Sequence, residues 1–290
     1  MGLNIGTALF LVKTDSINQY KKHSADNQCS ILMIGRQWMS TDKKDFKELS
    51  KYNSSLRPES LESGVFAENF LRDLGATSVN SLDSSDFESA EIIHNLNEAF
   101  EGSKIEKFKG AYDIVLDYGT SEHVFQPAQS IAISISLLKL GGVYNCTLPI
   151  SGWLEHGMYQ FSPTLFRSLD HPPLRLNRMY IYSPYTNNVQ IWDAKVNPNN
   201  PYYDRLKERL SCWAHYTKVS EINEKEFLQN THQEVYKKAW ARFDSQTELQ
   251  KVEKQSKWSL IKNSLLKNSY FLQKYFIKSK RIKIHDIPSF

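Results

Sequence analysis

The chain has 290 residues, enough to bury a full core in one large domain or in a domain with an appendage. Hydrophobic residues at 40% and charged residues at 23% are ordinary for a soluble globular protein. The overall charge of +4 is uneven: residues 251–290 hold ten Lys/Arg against Glu253 and Asp286, a balance of +8, which leaves −4 on residues 1–250.

The longest N-terminal apolar run, Ala8 to Val12, is far too short to span a bilayer, and it lacks a signal-peptide core and cleavage site. The expected location is therefore cytoplasmic. Cys29, Cys146 and Cys212 are widely separated, odd in number and without CxxC or zinc spacing, so no disulfide framework is expected.

In chain order, residues 1–27 read as a lead-in helix. A short buried strand follows at Ile31–Ile34 and stops at Gly35. Pro58 and Glu59 open a predicted helix carrying Leu61, Val65, Phe66, Phe70, Leu71 and Leu74, which Gly75 is placed to end. Thr77–Leu82 predicts a second strand ending at Asp83, Ile92–Leu96 a third and Tyr112–Leu116 a fourth. A polar turn with Glu122 and His123 leads into a helix running to Leu140, and Gly141 and Gly142 precede a fifth strand at Val143–Leu148. Met179–Tyr182 and Val189–Trp192 predict an antiparallel pair joined through Pro184 and Asn187/Asn188. The NPNNP break at 197–201 separates residues 28–196 from a helical stretch, Tyr203 to about Phe276, within a 197–290 extension. Alternating strands and helices argue for a doubly wound, mostly parallel α/β sheet with an antiparallel edge.

In such sheets ligands bind beyond the carboxyl ends of the strands, where Gly35, Asp83 and the Asp117–His123 turn fall. The first turn has one glycine, and the chain has no P-loop lysine motif, which argues against NAD and ATP. No DxD motif supports a nucleotide-sugar transferase.

Four motifs appear in order: Gly35-Arg36-Gln37, Ile92-Ile93-His94-Asn95-Leu96-Asn97, Asp117-Tyr118-Gly119-Thr120-Ser121-Glu122-His123-Val124-Phe125, and His156-Gly157-Met158-Tyr159-Gln160-Phe161-Ser162-Pro163. Through them, over roughly residues 28–170, the chain resembles class I S-adenosylmethionine-dependent methyltransferases of an atypical branch associated with bacterial surface-polysaccharide and glycan modification. The branch has IIHDLN and HGFYQFSP where this chain has Asn95 and Met158. The resemblance implies a Rossmann-like sheet of the methyltransferase type and S-adenosyl-L-methionine as cofactor. It places Gly35, Arg36 and Gln37 at the methionine end and Asp83 on the ribose hydroxyls. Asp86 and Asn95 would line the adenine pocket, and Asp117, Gly119 and Thr120 the methyl-transfer end. His123 would act as the base with Glu122 orienting it, and His156, Tyr159 and Gln160 would line a sugar or other polar acceptor.

Each role has a structural alternative. Asp83 and Asp117 suit turn or helix capping, and Tyr159 can simply pack its loop down. His123, His156, His171, Asp117 and Glu122 form no metal-binding spacing, and no metal is expected. The basic segment interleaves Trp258, Ile261, Leu265, Leu272 and Phe276 with lysines. Such a helix either docks on the core or lets residues 251–283 touch the inner membrane face. No nucleic acid is expected as a partner. The rival functional reading is a non-catalytic protein of the same fold that binds a membrane or protein through this segment.

Overall fold

The computed structural model describes residues 2–23, 27–184, 191–193 and 209–233. The turn at Asn187/Asn188, the break at 197–201 and the basic segment at 251–283 lie outside the described residues. The strands are β1 (Leu3–Asn4), β2 (Ser30–Ile34), β3 (Met39–Ser40), β4 (Ser78–Asp83), β5 (Ile92–Ile93), β6 (Tyr112–Asp117), β7 (Leu138–Ser151), β8 (Leu174–Tyr182), β9 (Ile191–Asp193) and β10 (Leu210–Lys218). The helices are α1 (Ile5–Thr14), α2 (Ser16–His23), α3 (Lys43–Leu49), α4 (Glu68–Asp73), α5 (Pro127–Leu137), α6 (Pro163–Ser168) and α7 (Glu224–Asn230).

Eight strands form one sheet in the order β5-β4-β2-β6-β7-β10-β8-β9. Neighbours from β5 to β7 pair in parallel, and β7-β10, β10-β8 and β8-β9 pair antiparallel. This is a Rossmann-like α/β sheet, mostly parallel in its first half and closed by an antiparallel edge. Strand β2 shows why it is covered twice. Leu32 and Ile34 pack into a core with α5, while Ile31 and Met33 pack into a second core with α1 and α4. A strand apolar on both faces belongs in the middle of a three-layer domain.

Helix α5 is buried from Gln129 to Leu137 although it carries three serines. Ser134 Oγ donates to the Ser130 carbonyl at 2.8 Å and Ser136 Oγ to that of Ala132 at 2.9 Å, so these hydroxyls reach the core already bonded. The three cysteines are free and buried.

Three predicted helices are corrected. The one read as running to Leu140 ends at Leu137, because Leu138–Leu140 already belong to β7, which starts before the expected Val143. The run opened by Pro58 divides into a 3₁₀ turn, Pro58–Leu61, and α4, with Gly64 at φ +88° between them. The division is clasped by Asp73, which accepts from the Arg57 backbone at 3.0 Å and from Ser60 Oγ at 2.6 Å. Gly75 does end α4, at φ +106°. The largest correction is β10, which stands inside the stretch read as helical from Tyr203. Eight of its nine residues are buried, because it is inserted between β7 and β8 with a core on each face. Burial on both sides erases the alternation that would have marked a strand.

Candidate functional site

Strand β2 is the switch point of the sheet. The chain leaves it for β4 and β5 on one side, then crosses back to β6 on the other, which opens a crevice at the strand ends. A cleft of about 410 Å³ lies there, lined by Gly35, Arg36 and Gln37 after β2, and by Asp83 and Ser84 after β4. Asn95 and Asn97 line it after β5, and Gly119, Thr120 and His123 after β6. Three motifs far apart in sequence thus meet in one depression.

The floor is built at Gly35. Its φ is +70°, and a Cβ there would collide with Thr120 Oγ1, so the turn needs glycine both for conformation and for space. Thr120 Oγ1 in turn donates to the Ile34 carbonyl at 2.6 Å, tying β6 to β2. Gln37 Nε2 donates to the carbonyls of Ile34 at 2.8 Å and Gly35 at 3.2 Å, while its Oε1 is buried without a partner. Arg36 is held by Glu68 Oε1 at 2.7 Å and the Glu88 carbonyl at 2.6 Å, with its guanidinium 3.8 Å from the centre of the Phe66 ring.

Asp83 lines the cleft at the end of β4, and its Oδ1 accepts only from Ser84 Oγ at 3.3 Å and the Ser85 backbone at 3.4 Å. These long bonds leave the carboxylate with unused acceptor capacity. Asn95 also lines the cleft. Asp86 does not: it is exposed on the loop beyond Asp83 and its carbonyl closes a turn to Ser89.

Asp117, read as lining the methyl-transfer end or as capping its turn, takes the second of these places. It is fully buried and accepts from the Thr120 backbone at 3.1 Å, the Ser121 backbone at 3.4 Å and Ser121 Oγ. Its carboxylate holds the turn and does not line the cleft. Burial first, and the Glu122 charge second, push its pKa up to about 6.

The turn that Asp117 holds presents Glu122 and His123 to the loop after β7. Glu122 is completely buried, and both of its carboxylate oxygens lack a hydrogen-bond partner. Its Oε1 lies 3.7 Å from His156 Nε2 and 3.9 Å from His123 Nε2. Partial burial lowers the His123 pKa, which favours the neutral imidazole. Met158 and Tyr159 donate their backbone N–H groups to the Glu122 carbonyl at 2.9 and 3.2 Å, fixing the loop over the turn. Gln160 Oε1 accepts from the Trp153 backbone at 2.9 Å and Tyr159 donates its hydroxyl to the Phe125 carbonyl at 2.8 Å. Two residues expected to line an acceptor therefore hold the loop together, and His156 is the one turned toward Glu122. His171 lies apart from this group, stacked on Phe227 with ring centres 5.8 Å apart.

Trp38, Glu88 and Asn97 line the cleft without having been singled out as site residues. Trp38 Nε1 donates to Glu88 Oε1 at 2.7 Å, forming a wall beside the first turn. Asn97 closes the same motif as Asn95, and its Oδ1 accepts from the Gln126 backbone at 2.9 Å. A tryptophan directly after Gly-Arg-Gln and the last residue of the Ile92–Asn97 motif were the available signals.

No protein-family model and no curated protein matches the chain. Among solved structures it is similar to a candidate S-adenosylmethionine-dependent methyltransferase of Listeria monocytogenes, with 13% identity and a TM-score of 0.38 over 73% of this chain and 100% of that one. A candidate methyltransferase of Bacillus halodurans gives 10% identity and a TM-score of 0.40 over 70% and 98%. The methyltransferase CalH, in complex with S-adenosylhomocysteine, gives 12% and 0.35 over 73% and 59%. All three likenesses are distant in sequence and in shape.

Proposed function

We propose that the chain is an S-adenosylmethionine-dependent methyltransferase that modifies a hydroxyl or amine of a sugar or glycan intermediate. The observation that carries this reading is the convergence of the Gly35, Asn95 and Gly119–His123 motifs on one cleft at the switch point of the sheet. The glycan acceptor follows from the motif resemblance.

The residues of the cleft fit the cofactor. The left-handed turn at Gly35, packed directly on Thr120, shapes the floor on which the ligand would lie. The unpartnered Gln37 Oε1 beside it suits an ammonium donor, such as the methionine amino group. Asp83 would accept both ribose hydroxyls, and Asn95 with Asn97 would border the base. When bound, S-adenosylmethionine supplies a methyl group on a positively charged sulfur. The chain's own work is to align the acceptor, and alignment alone can supply roughly 7–11 kcal/mol of a barrier. His123 stands at the edge of the cleft, on the acceptor side.

Calorimetric titration with S-adenosylmethionine and S-adenosylhomocysteine tests the reading, with NAD and a nucleotide sugar as controls. Binding of the first two alone is expected. Asp83→Ala should weaken binding about tenfold, equivalent to about 1.4 kcal/mol, while His123→Ala should leave it intact and slow turnover. Equal affinities for wild type and Asp83→Ala would remove the ribose assignment.

A further inference from the structure

We infer that Glu122, His123 and His156 form a binding site for one divalent transition-metal ion beside the cleft. All three are among the residues set aside above for lack of metal-binding spacing, because they come from two loops that only the fold brings together.

Three observations support the site. Glu122 is 0% exposed and neither carboxylate oxygen has a hydrogen-bond partner, an arrangement that is strongly unfavourable unless something neutralises it. The nearest groups, His156 Nε2 at 3.7 Å and His123 Nε2 at 3.9 Å, are too far for a direct hydrogen bond and close enough to share a central atom. His156 Nε2 is itself buried without a partner. One ligand atom from each residue lies within 4.8 Å of the others.

A metal bound at roughly 2.0–2.2 Å from nitrogen and oxygen ligands would draw these atoms together by small side-chain rotations. His123, with 43% of its side chain exposed, has room to make the largest one. Gly157 keeps the loop close: a Cβ there would stand 3.0 Å from Glu122 Cγ and 3.3 Å from His123 Cε1. The Trp153 ring, 4.8 Å from that of His156, backs the loop, and its Nε1 donates to the Leu210 carbonyl at 2.8 Å.

Two imidazoles and one carboxylate select borderline ions such as Zn²⁺, Co²⁺, Mn²⁺ or Fe²⁺ over Mg²⁺ and Ca²⁺, which prefer all-oxygen surroundings. Three protein ligands leave a position open, as in catalytic rather than structural sites. His123 lines the cleft, so the group that completes the coordination comes from there. The role of the ion rests on the methyl-transfer reading: it holds a hydroxyl oxygen of the acceptor and makes that hydroxyl more acidic.

The test uses the untagged full chain, stripped with a chelator and titrated with Co²⁺, followed by visible absorption and by metal analysis after dialysis. One equivalent of Co²⁺ is expected, displaced by Zn²⁺. Glu122→Gln and His156→Ala should each weaken binding at least roughly tenfold, with circular dichroism melts to show that both remain folded. Titration of the same preparations with S-adenosylhomocysteine reads the methyl-transfer proposal separately. Absence of Co²⁺ binding, or equal binding by wild type and both variants, overturns the metal site whatever the cofactor does. Co²⁺ binding without S-adenosylhomocysteine binding leaves the metal site standing and removes its assigned role.

Discussion

The two banks of the cleft treat buried charge in opposite ways. On the β2 bank Arg36 is held by Glu68 and the Glu88 carbonyl and lies over Phe66, so the guanidinium is paired, hydrogen-bonded and stacked. On the β6 bank Glu122 is more deeply buried and has no hydrogen-bond partner, and the Nε2 atom of the half-buried His156 beside it also lacks one. A satisfied charge stabilises a frame. An unsatisfied one costs stability and persists where a ligand is meant to complete it. On the proposed function, the first bank is scaffold for the bound molecule and the second carries the chemistry.

The largest expected effect breaks the scaffold beneath the second bank. Asp117→Ala removes the acceptor for two backbone N–H groups and the Ser121 hydroxyl in a fully buried turn. The loss should be about 3 kcal/mol, read from the urea midpoint, and the turn should no longer present Glu122 and His123 together. A loss below about 1 kcal/mol would mean that water or neighbouring groups replace the carboxylate.

A smaller effect is expected on the first bank. Arg36→Met keeps most of the side chain's bulk but leaves the Glu68 carboxylate unpaired at a largely buried position. The fold should lose about 1–2 kcal/mol. S-adenosylhomocysteine affinity should fall only a few-fold, because Gly35 and Gln37 stay anchored through their own bonds. Unchanged stability with abolished binding would move Arg36 from the scaffold to the ligand.

Most of the parallel half was legible in the sequence. Short apolar runs ending in Gly35, Asp83 and Asp117 marked three neighbouring strands because strands buried on both faces are continuous in apolar residues. Strand β10 was not legible, because Leu210–Lys218 mixes Ser, His, Thr and Lys with Cys, Trp and Tyr and follows no period. The Gly35 turn and Asp83 were expected at strand ends, and both border the cleft there. The pairing of Glu122 with His156 was hidden, because it depends on the loop after β7 folding back so that Met158 and Tyr159 bond the Glu122 carbonyl. Asp86 was misplaced for a related reason: proximity to Asp83 in sequence does not carry it around the exposed loop into the cleft.

The smallest expected effect has the opposite sign and sharpens the comparison most. In chelator-treated protein Glu122→Gln should raise stability by roughly 1 kcal/mol, since it removes a buried charge with no hydrogen-bond partner while keeping the shape. The gain should also depend on pH through Asp117, whose pKa is raised from 3.8 to about 6 by burial and, second, by Glu122. A carboxyl with a raised folded pKa stabilises the fold fully below its unfolded value, and the contribution is lost as pH rises through the folded value. Without the Glu122 charge the Asp117 pKa falls, so the penalty at neutral pH shrinks. The variant's advantage should therefore be full near pH 7.5 and smaller near pH 5, below the wild-type Asp117 value of about 6. Urea midpoints at the two pH values measure it. A variant less stable than wild type near pH 7.5 would show that Glu122 has a partner in solution, and the two banks would then handle charge alike.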